Sequence, residues 1–499
     1  MKRVLITLVV LLMLPVAALG LLLAGGSIST SSIGMITNVF FGVPGPALED
    51  IRDNGEYSLP PGFSLQIYAK DLPRARFMRF TPNDDLLVSR PHSGDVVLLR
   101  KDSNGDGRHD GMEPVVTGLN RPQGMDFHRG WLYIAEREQV GRIRFDNGRP
   151  SGEYQSIITG LTGDGNHWSK TLRFGPDDKL YLAQGSTCNV CIENDERRAT
   201  MMRFNPDGSD AEIFASGLRN SVGFDWSPWD GGLYATDNGR DMLGDDFPVC
   251  ELNLVQQGKF YGWPYFNDNN IPDPDMGNDP QARDRQPTAP VHGFAPHNAP
   301  LGISFVDTRD WPGDFDRVAL VALHGSWNRS SPDGYKVVSL HFTDSGIEQR
   351  DFLSGFNRDG DIIGRPVDVA QGPDGAVYIS DDYAGAIYRV SQDDIKPQAA
   401  LKVSTANRLD KGAPAWLKTA NLPAMYTAGA DLYQQLNCAS CHETGQNDVS
   451  LYGLAERLGY TAVMDTLQAP RPPMPVFPLT DQEQRQLAVY LLRSDSGED

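Results

Sequence analysis

The chain has 499 residues, enough for two or more domains at roughly 100–200 residues each. It carries 45 Lys and Arg against 65 Asp and Glu, a net charge of −20 at pH 7. No basic cluster interrupts that acidic balance, which excludes a nucleic-acid partner because phosphate contacts need a basic footprint.

Residues 1–26, MKRVLITLVVLLMLPVAALGLLLAGG, place Lys2 and Arg3 before an uncharged apolar run from Val4 to Ala24. A run of about 20 residues is long enough to span a membrane and longer than the roughly 7–15 of a signal core. The two cations predict a cytoplasmic N-terminus with the remainder exported. A signal anchor is expected, with a cleaved signal peptide as the alternative, since Ala24, Gly25 and Gly26 suit a peptidase. The chain is therefore expected on the periplasmic side of a bacterial inner membrane, anchored, or soluble if cleaved.

From about residue 55 to 395 one phrase recurs: a turn, an apolar strand, a polar tip and a second strand. It reads "TPNDDLLVSRPHSGDVVLLR" from Thr81, "HRGWLYIAEREQVGRIRF" from His128 and "GPDDKLYLAQGS" from Gly175. It returns as "SPWDGGLYATDNG" from Ser227, "DRVALVALHGSWNRSSPDGYKVVSLHF" from Asp316 and "GPDGAVYISDDYAGAIYRV" from Gly372. A spacing of about 45–57 residues, with one longer gap, matches four strands per propeller blade. The expectation is an all-β six-bladed propeller over 55–395, with 262–315 as an insertion on one face.

Two further features fall inside this region. "DSNGDGRHDGME" from Asp102 fits a calcium-loop pattern, with Asp102, Asn104, Asp106 and a distal Glu113 as oxygen donors. Its flanks read as strands, so the expected form is a calcium-bound hairpin loop, with an uncomplexed acidic turn as the alternative. Cys188, Cys191 and Cys250 are three thiols outside the C-terminal region, and an oxidising compartment favours a disulfide between two of them. Which two remains open.

Residues 396–424 show no alternation and read as a linker. Residues 425–495 then adopt a helical period and predict a small all-α cytochrome c domain. Cys438-Ala439-Ser440-Cys441-His442 is the pattern for covalent attachment of one c-type haem, with His442 on the iron. Met474, in "APRPPMPVFPLT", is the expected second axial ligand and Met464 its rival; His/Met ligation raises the potential. Thr480 and Glu483 form a capping box at the start of the last helix.

The stretches "RPQGMDF", "HWSKTLRFGPDDKLYLAQGS", "GLRNSVGFDW", "NGRDMLGDD", "KFYGWPY", "HGSWNR" and "RPVDVAQGPDG" resemble the sorbosone dehydrogenase family. That family is related to the soluble quinoprotein glucose dehydrogenases, propellers that bind pyrroloquinoline quinone (PQQ) and calcium. The resemblance implies a dehydrogenase for a sugar or alcohol hydroxyl that passes electrons to its own haem. An external cytochrome or membrane quinone chain would be the final acceptor. It implies His167 as the general base, and Gln123, Arg219, Asn220, Arg329 and Arg365 as cofactor contacts. Gly239 and Arg240 would offer backbone carbonyls to calcium. Asn166 stands where the relatives have an aspartate, and Arg240 where they have a proline. The relatives' lysine beside the cofactor has only a loose counterpart in Lys336. The competing readings are a calcium-dependent lactonase and a binding module that docks the cytochrome to a partner.

Overall fold

The computed structural model describes residues 57–309, 311–392, 422–436, 438, 460–468, 470, 474 and 477–493. These fall into two compact units divided after Pro397. The expected anchor, residues 1–26, lies outside the described residues. Among those described, no helix is long and apolar enough to cross a membrane.

The longer unit is a six-bladed β-propeller, each blade a four-stranded antiparallel sheet. The inner strands of blades 1–6 are Met78–Phe80, Met125–His128, Lys170–Phe174, Ser221–Trp226, Pro300–Phe305 and Pro366–Gln371. The phrases repeated in the sequence carry the second strand of each blade, among them Leu86–Arg90, Trp131–Ala135 and Val377–Asp381. These strands are buried on both faces because each blade stacks on two others. An apolar core fills each interface between blades.

One detail goes beyond the expectation and one differs from it. The first strand among the described residues, Phe63–Ala69, pairs antiparallel with Ala386–Gln392 as the outer strand of blade 6 and so closes the ring. The inserted segment is 256–291 rather than 262–315, because Pro300–Phe305 is already the inner strand of blade 5. The segment leaves blade 4 and climbs the outer strand of blade 3, where Tyr261 N donates to Ser216 O (2.8 Å) and Trp263 N to Gly217 O (3.1 Å).

Antiparallel order sorts the loops. Loops entering the inner strands, and loops joining second to third strands, share one end of the axis, called here the mouth. Third-to-fourth strand loops lie at the other end. Residues 100–111 join the third strand Asp95–Leu99 to the outer strand Met112–Thr117, so the calcium-loop pattern lies away from the mouth.

The second unit contains α1 (Leu422–Gln435), α2 (Tyr460–Gln468) and α3 (Asp481–Arg493). Helix α1 begins inside the stretch expected to be linker. Gly429 lets α1 approach α3: a Cβ there would lie 2.2 Å from Gln486 O. The capping box forms as read, with Glu483 N donating to Thr480 Oγ1 (3.3 Å) and Thr480 N to Glu483 Oε2 (2.8 Å).

Candidate active site

His167 lies on the loop entering blade 3. Its Nδ1 is 3.0 Å from Ser186 O and 2.9 Å from Ser186 Oγ. The Ser186 hydroxyl donates to Cys188 O (2.7 Å), so toward His167 both serine oxygens accept. Nδ1 therefore carries the proton and Nε2 presents a lone pair. Burial, followed by the charges of Arg219 and Arg198, holds this imidazole well below its ordinary pKa, so it is neutral at physiological pH. Gly185 makes room for it: a Cβ there would lie 2.7 Å from His167 Cβ and 2.6 Å from Asn220 Oδ1.

The three expected arginines divide. Arg219 is 4% exposed, and all five of its N–H groups are engaged within the protein. Nε donates to Asn189 O (3.0 Å), Nη1 to Asn238 O (3.0 Å) and Gly239 O (2.8 Å), and Nη2 to Asn189 Oδ1 (2.8 Å) and Asp241 Oδ2 (2.9 Å). It organises the Asn238–Asp241 segment. Arg329 ties loops together, through Pro296 O (3.1 Å), Asp245 O and Ser331 O (3.3 Å). Arg365 is held by His324 O (3.1 Å) and Gly325 O (3.2 Å), which leaves its Nη1 without an acceptor among the described residues.

A second cation at the mouth carried no motif. Arg76 Nη1 pairs with Asp382 Oδ2 at 2.6 Å, and its Nε donates to Gln123 Oε1 at 3.2 Å. Gln123 is therefore buried behind Arg76, with its Nε2 3.4 Å from Thr171 Oγ1. His324 Nε2 is 2.8 Å from the other Asp382 oxygen. Burial alone would raise the Asp382 carboxyl, but His324, Arg76 and Arg365 together hold it well below its usual range. His324 is pushed down to about 4, by burial first and then Arg365, against the pull of Asp382. Arg121 lies 5.0 Å over the Trp168 ring beside His167. The repeat offered one signal for Arg76: like Gln123 and Arg219, it stands two residues before an inner strand.

Gly239 and Arg240 line a cavity of about 20 Å³, one water-sized sphere, together with Asp237, Glu251, Tyr261 and Asp268. Asp237 and Glu251 are cross-strand partners. Burial raises the Asp237 carboxyl to about 7; burial and then Asp237 raise Glu251 to about 8. The paired buried carboxyls of Asp237 and Glu251 are oxygen donors of the kind that fits a hard dication such as calcium. Sequence reasoning missed both carboxyls. The Arg240 side chain turns into the inserted segment, to Asp273 (2.6 Å) and Asp275.

The structure brings together three of the four residues of the calcium-loop pattern. Asp102, Asn104 and Asp106 accept amides of their own loop, from Gly105 (2.7 Å), Asp106 (2.8 Å) and Arg108 (2.8 Å). Glu113 turns away to Arg100 (3.0 Å) and Arg149 (2.7 Å), because the strand that carries it sets its direction. Lys336 pairs with Asp351 (2.7 Å). The disulfide joins Cys188 to Cys191, and Cys250 is a buried thiol. A larger cavity of about 420 Å³ opens at the far end of the axis; its Arg79 and Arg173 are already paired with Asp126 and Asp225 (both 2.9 Å). In the second unit Cys438, Met464 and Met474 border one core; Cys441 and His442 lie outside the described residues.

The cations Arg76 and Arg365 at the mouth suit a flat polyanionic cofactor such as PQQ, and the acidic cavity lies among loops at the same end. Residues 57–393 match the TrAA12-like family, and residues 424–491 match cytochrome C oxidase, cbb3-type, subunit III. An uncharacterized protein of Borreliella burgdorferi is 36% identical over 293 residues, 55% of this chain and 77% of that protein. The aldose sugar dehydrogenase YliI of Escherichia coli is 26% identical over 247 residues, 46% of this chain and 60% of that one. In fold, the chain is similar to the Trichoderma reesei carbohydrate-active enzyme of family AA12 (TM-score 0.58, 20% identity, 67% of this chain and 97% of that one). The PQQ domain of pyranose dehydrogenase from Coprinopsis cinerea gives a TM-score of 0.56 at 20% identity, over 70% of this chain and 98% of that domain. The chain belongs to the TrAA12-like family, as a PQQ-dependent sugar dehydrogenase-like propeller with a C-terminal cytochrome c domain.

Proposed function

We propose that the protein oxidises a sugar or alcohol hydroxyl at the propeller mouth and passes the electrons through its own c-type haem to an external respiratory acceptor. The observation that carries this reading is the placing of Arg76, Arg365, His324, Asp382 and His167 at one end of the axis, the end whose loops also hold the acidic cavity. PQQ bound there, with calcium beside it, would supply an electrophilic carbonyl for the substrate hydride. Arg365 and Arg76 would bind carboxylates; Asp382 keeps Arg76 in place and Gln123 orients it. Nε2 of His167 would take the hydroxyl proton, since its Nδ1 is committed to Ser186. Asp237, Glu251 and the Gly239–Arg240 carbonyls would hold calcium. Cys438 and Cys441 would carry one covalent haem, with His442 and Met474 on the iron.

The printed names of the relatives, an aldose sugar dehydrogenase and a pyranose dehydrogenase, support a sugar as substrate. The Cys188–Cys191 disulfide and the haem motif support an exported protein, anchored by residues 1–26. The test adds PQQ and calcium to the full chain, offers a panel of sugars and alcohols, and follows the haem absorption band. Substrate-dependent haem reduction is expected. An oxidised haem and an unreduced dye across the panel would refute the reading; lactone hydrolysis without redox change would favour the hydrolase.

A further inference from the structure

Residues 185–199 join the second and third strands of blade 3, and within them Cys188 and Cys191 close a four-residue ring around Asn189 and Val190. Asn189 uses every polar group it has beyond its own N–H. Its carbonyl accepts from Arg219 Nε (3.0 Å) and Trp263 Nε1 (3.2 Å). Its Oδ1 accepts from Arg219 Nη2 (2.8 Å) and Asp241 N (2.9 Å), and its Nδ2 donates to Asp241 O (3.0 Å). One side chain thus spans the arginine of one loop and the carbonyl segment of another.

The same loop holds His167 from two sides. Ser186, its hydroxyl committed to Cys188 O, presents two acceptors to Nδ1. Arg198, at the loop's far end, donates to His167 O (2.9 Å) and Ser186 O (3.1 Å). Thr187 O accepts from Asn166 N (2.9 Å), and any side chain at Gly165 would collide with that oxygen at 2.2 Å. The disulfide restricts the backbone between these contacts, which lowers the entropy of the unbraced loop.

We propose that the Cys188–Cys191 loop is the positioning element of the reaction centre: through Ser186 it sets the tautomer of His167, and through Asn189 it holds Arg219 and the Gly239–Asp241 segment in their binding geometry. The proposal rests on the reading of His167 as base and of that segment as a calcium site. Asn189 and Ser186 act through other residues and are positioning groups. Both cysteines are half-buried, so a dithiol can reach them. Dithiothreitol would deliver two electrons and two protons, leaving two thiols and its own cyclic disulfide.

The test uses the full chain labelled with ¹⁵N-histidine, without quinone, and reads the His167 tautomer by NMR and calcium affinity by calorimetry. The unmodified protein should show an Nδ1–H tautomer at His167. Ser186→Ala removes the hydroxyl acceptor and keeps the carbonyl of residue 186, so Nδ1 should stay protonated with a weaker hydrogen bond and its resonance should move. Asn189→Ala should weaken calcium binding about tenfold, the equivalent of losing roughly 1.4 kcal/mol. Reduction of the folded protein should produce both changes, and reoxidation should reverse them. An unmoved His167 Nδ1 resonance in Ser186→Ala and in the reduced protein overturns the proposal. So does unchanged calcium affinity in Asn189→Ala, or the absence of calcium binding by the unmodified chain. If these shifts occur but the quinone-loaded protein oxidises no substrate, the positioning role stands and the dehydrogenase reading fails.

Discussion

His167 is the residue whose chemistry is most constrained by its surroundings. Burial, Arg219 and Arg198 all disfavour its charged form, so the imidazole stays neutral until the pH falls well below 6.5. The acid limb of kcat/KM should therefore lie below pH 6.5, and Arg198→Gln, which removes a cation, should move it upward. His167→Gln should lose turnover by about 10²-fold or more while still binding quinone, a scale usual for a positioned base. Arg365→Ala should weaken quinone binding by about tenfold or more, as expected from loss of a charge-assisted hydrogen bond worth roughly 1.5–3 kcal/mol. Arg329→Ala should leave that affinity nearly unchanged, because its contacts are loop carbonyls; fluorescence titration with quinone distinguishes the two. His167 and Arg365 were legible because their place before an inner strand fixes which end of the blade they occupy. The direction of Arg219 was not, because five acceptors from two other loops set it.

At the scale of elements, closure and close approach matter more than strand propensity. Phe63 is packed edge-on against Trp311 (5.1 Å), Phe315 (5.7 Å) and Phe352 (5.4 Å), in a strand that completes a blade built otherwise from residues 366–392. Phe63→Ala should cost about 3–5 kcal/mol of propeller stability by chemical denaturation, the usual range for a buried phenylalanine. Its position near the chain's start would otherwise suggest a small effect. Gly429→Ala should destabilise the helical unit by about 1–3 kcal/mol, because the added methyl meets the Gln486 carbonyl. The propeller's unfolding transition should stay where it was. The sequence showed the capping box of α3 but not the need for glycine in α1, since that need arises from the facing helix.

At the scale of the whole molecule, a propeller that would release two electrons at once is linked to a domain with one haem motif. On the proposed reading, the haem must be reoxidised by an outside acceptor between successive electrons. Stopped-flow mixing of quinone-loaded protein with substrate should reduce the haem at a rate independent of protein concentration. A rate that scales with concentration would instead mean transfer between molecules. A propeller ending near Lys396 should still reduce a soluble dye but should reduce an external cytochrome far more slowly than the full chain does.

The sequence by itself determined the six-fold repeat, the helical C-terminal unit and the haem motif. Each is written in residues a few positions apart: a turn and the strand after it, Thr480 and Glu483, Cys438 and His442. Only the tertiary structure decided that Phe63–Ala69 closes blade 6, that Glu113 turns to Arg149, and that Asp237 and Glu251 face one cavity. It also decided that Arg76 meets Asp382 across 306 residues of chain. Local pattern specifies an element and its end of the axis. A side chain's direction is set by charge pairing and packing with residues that ring closure brings beside it, and no local spacing records those partners.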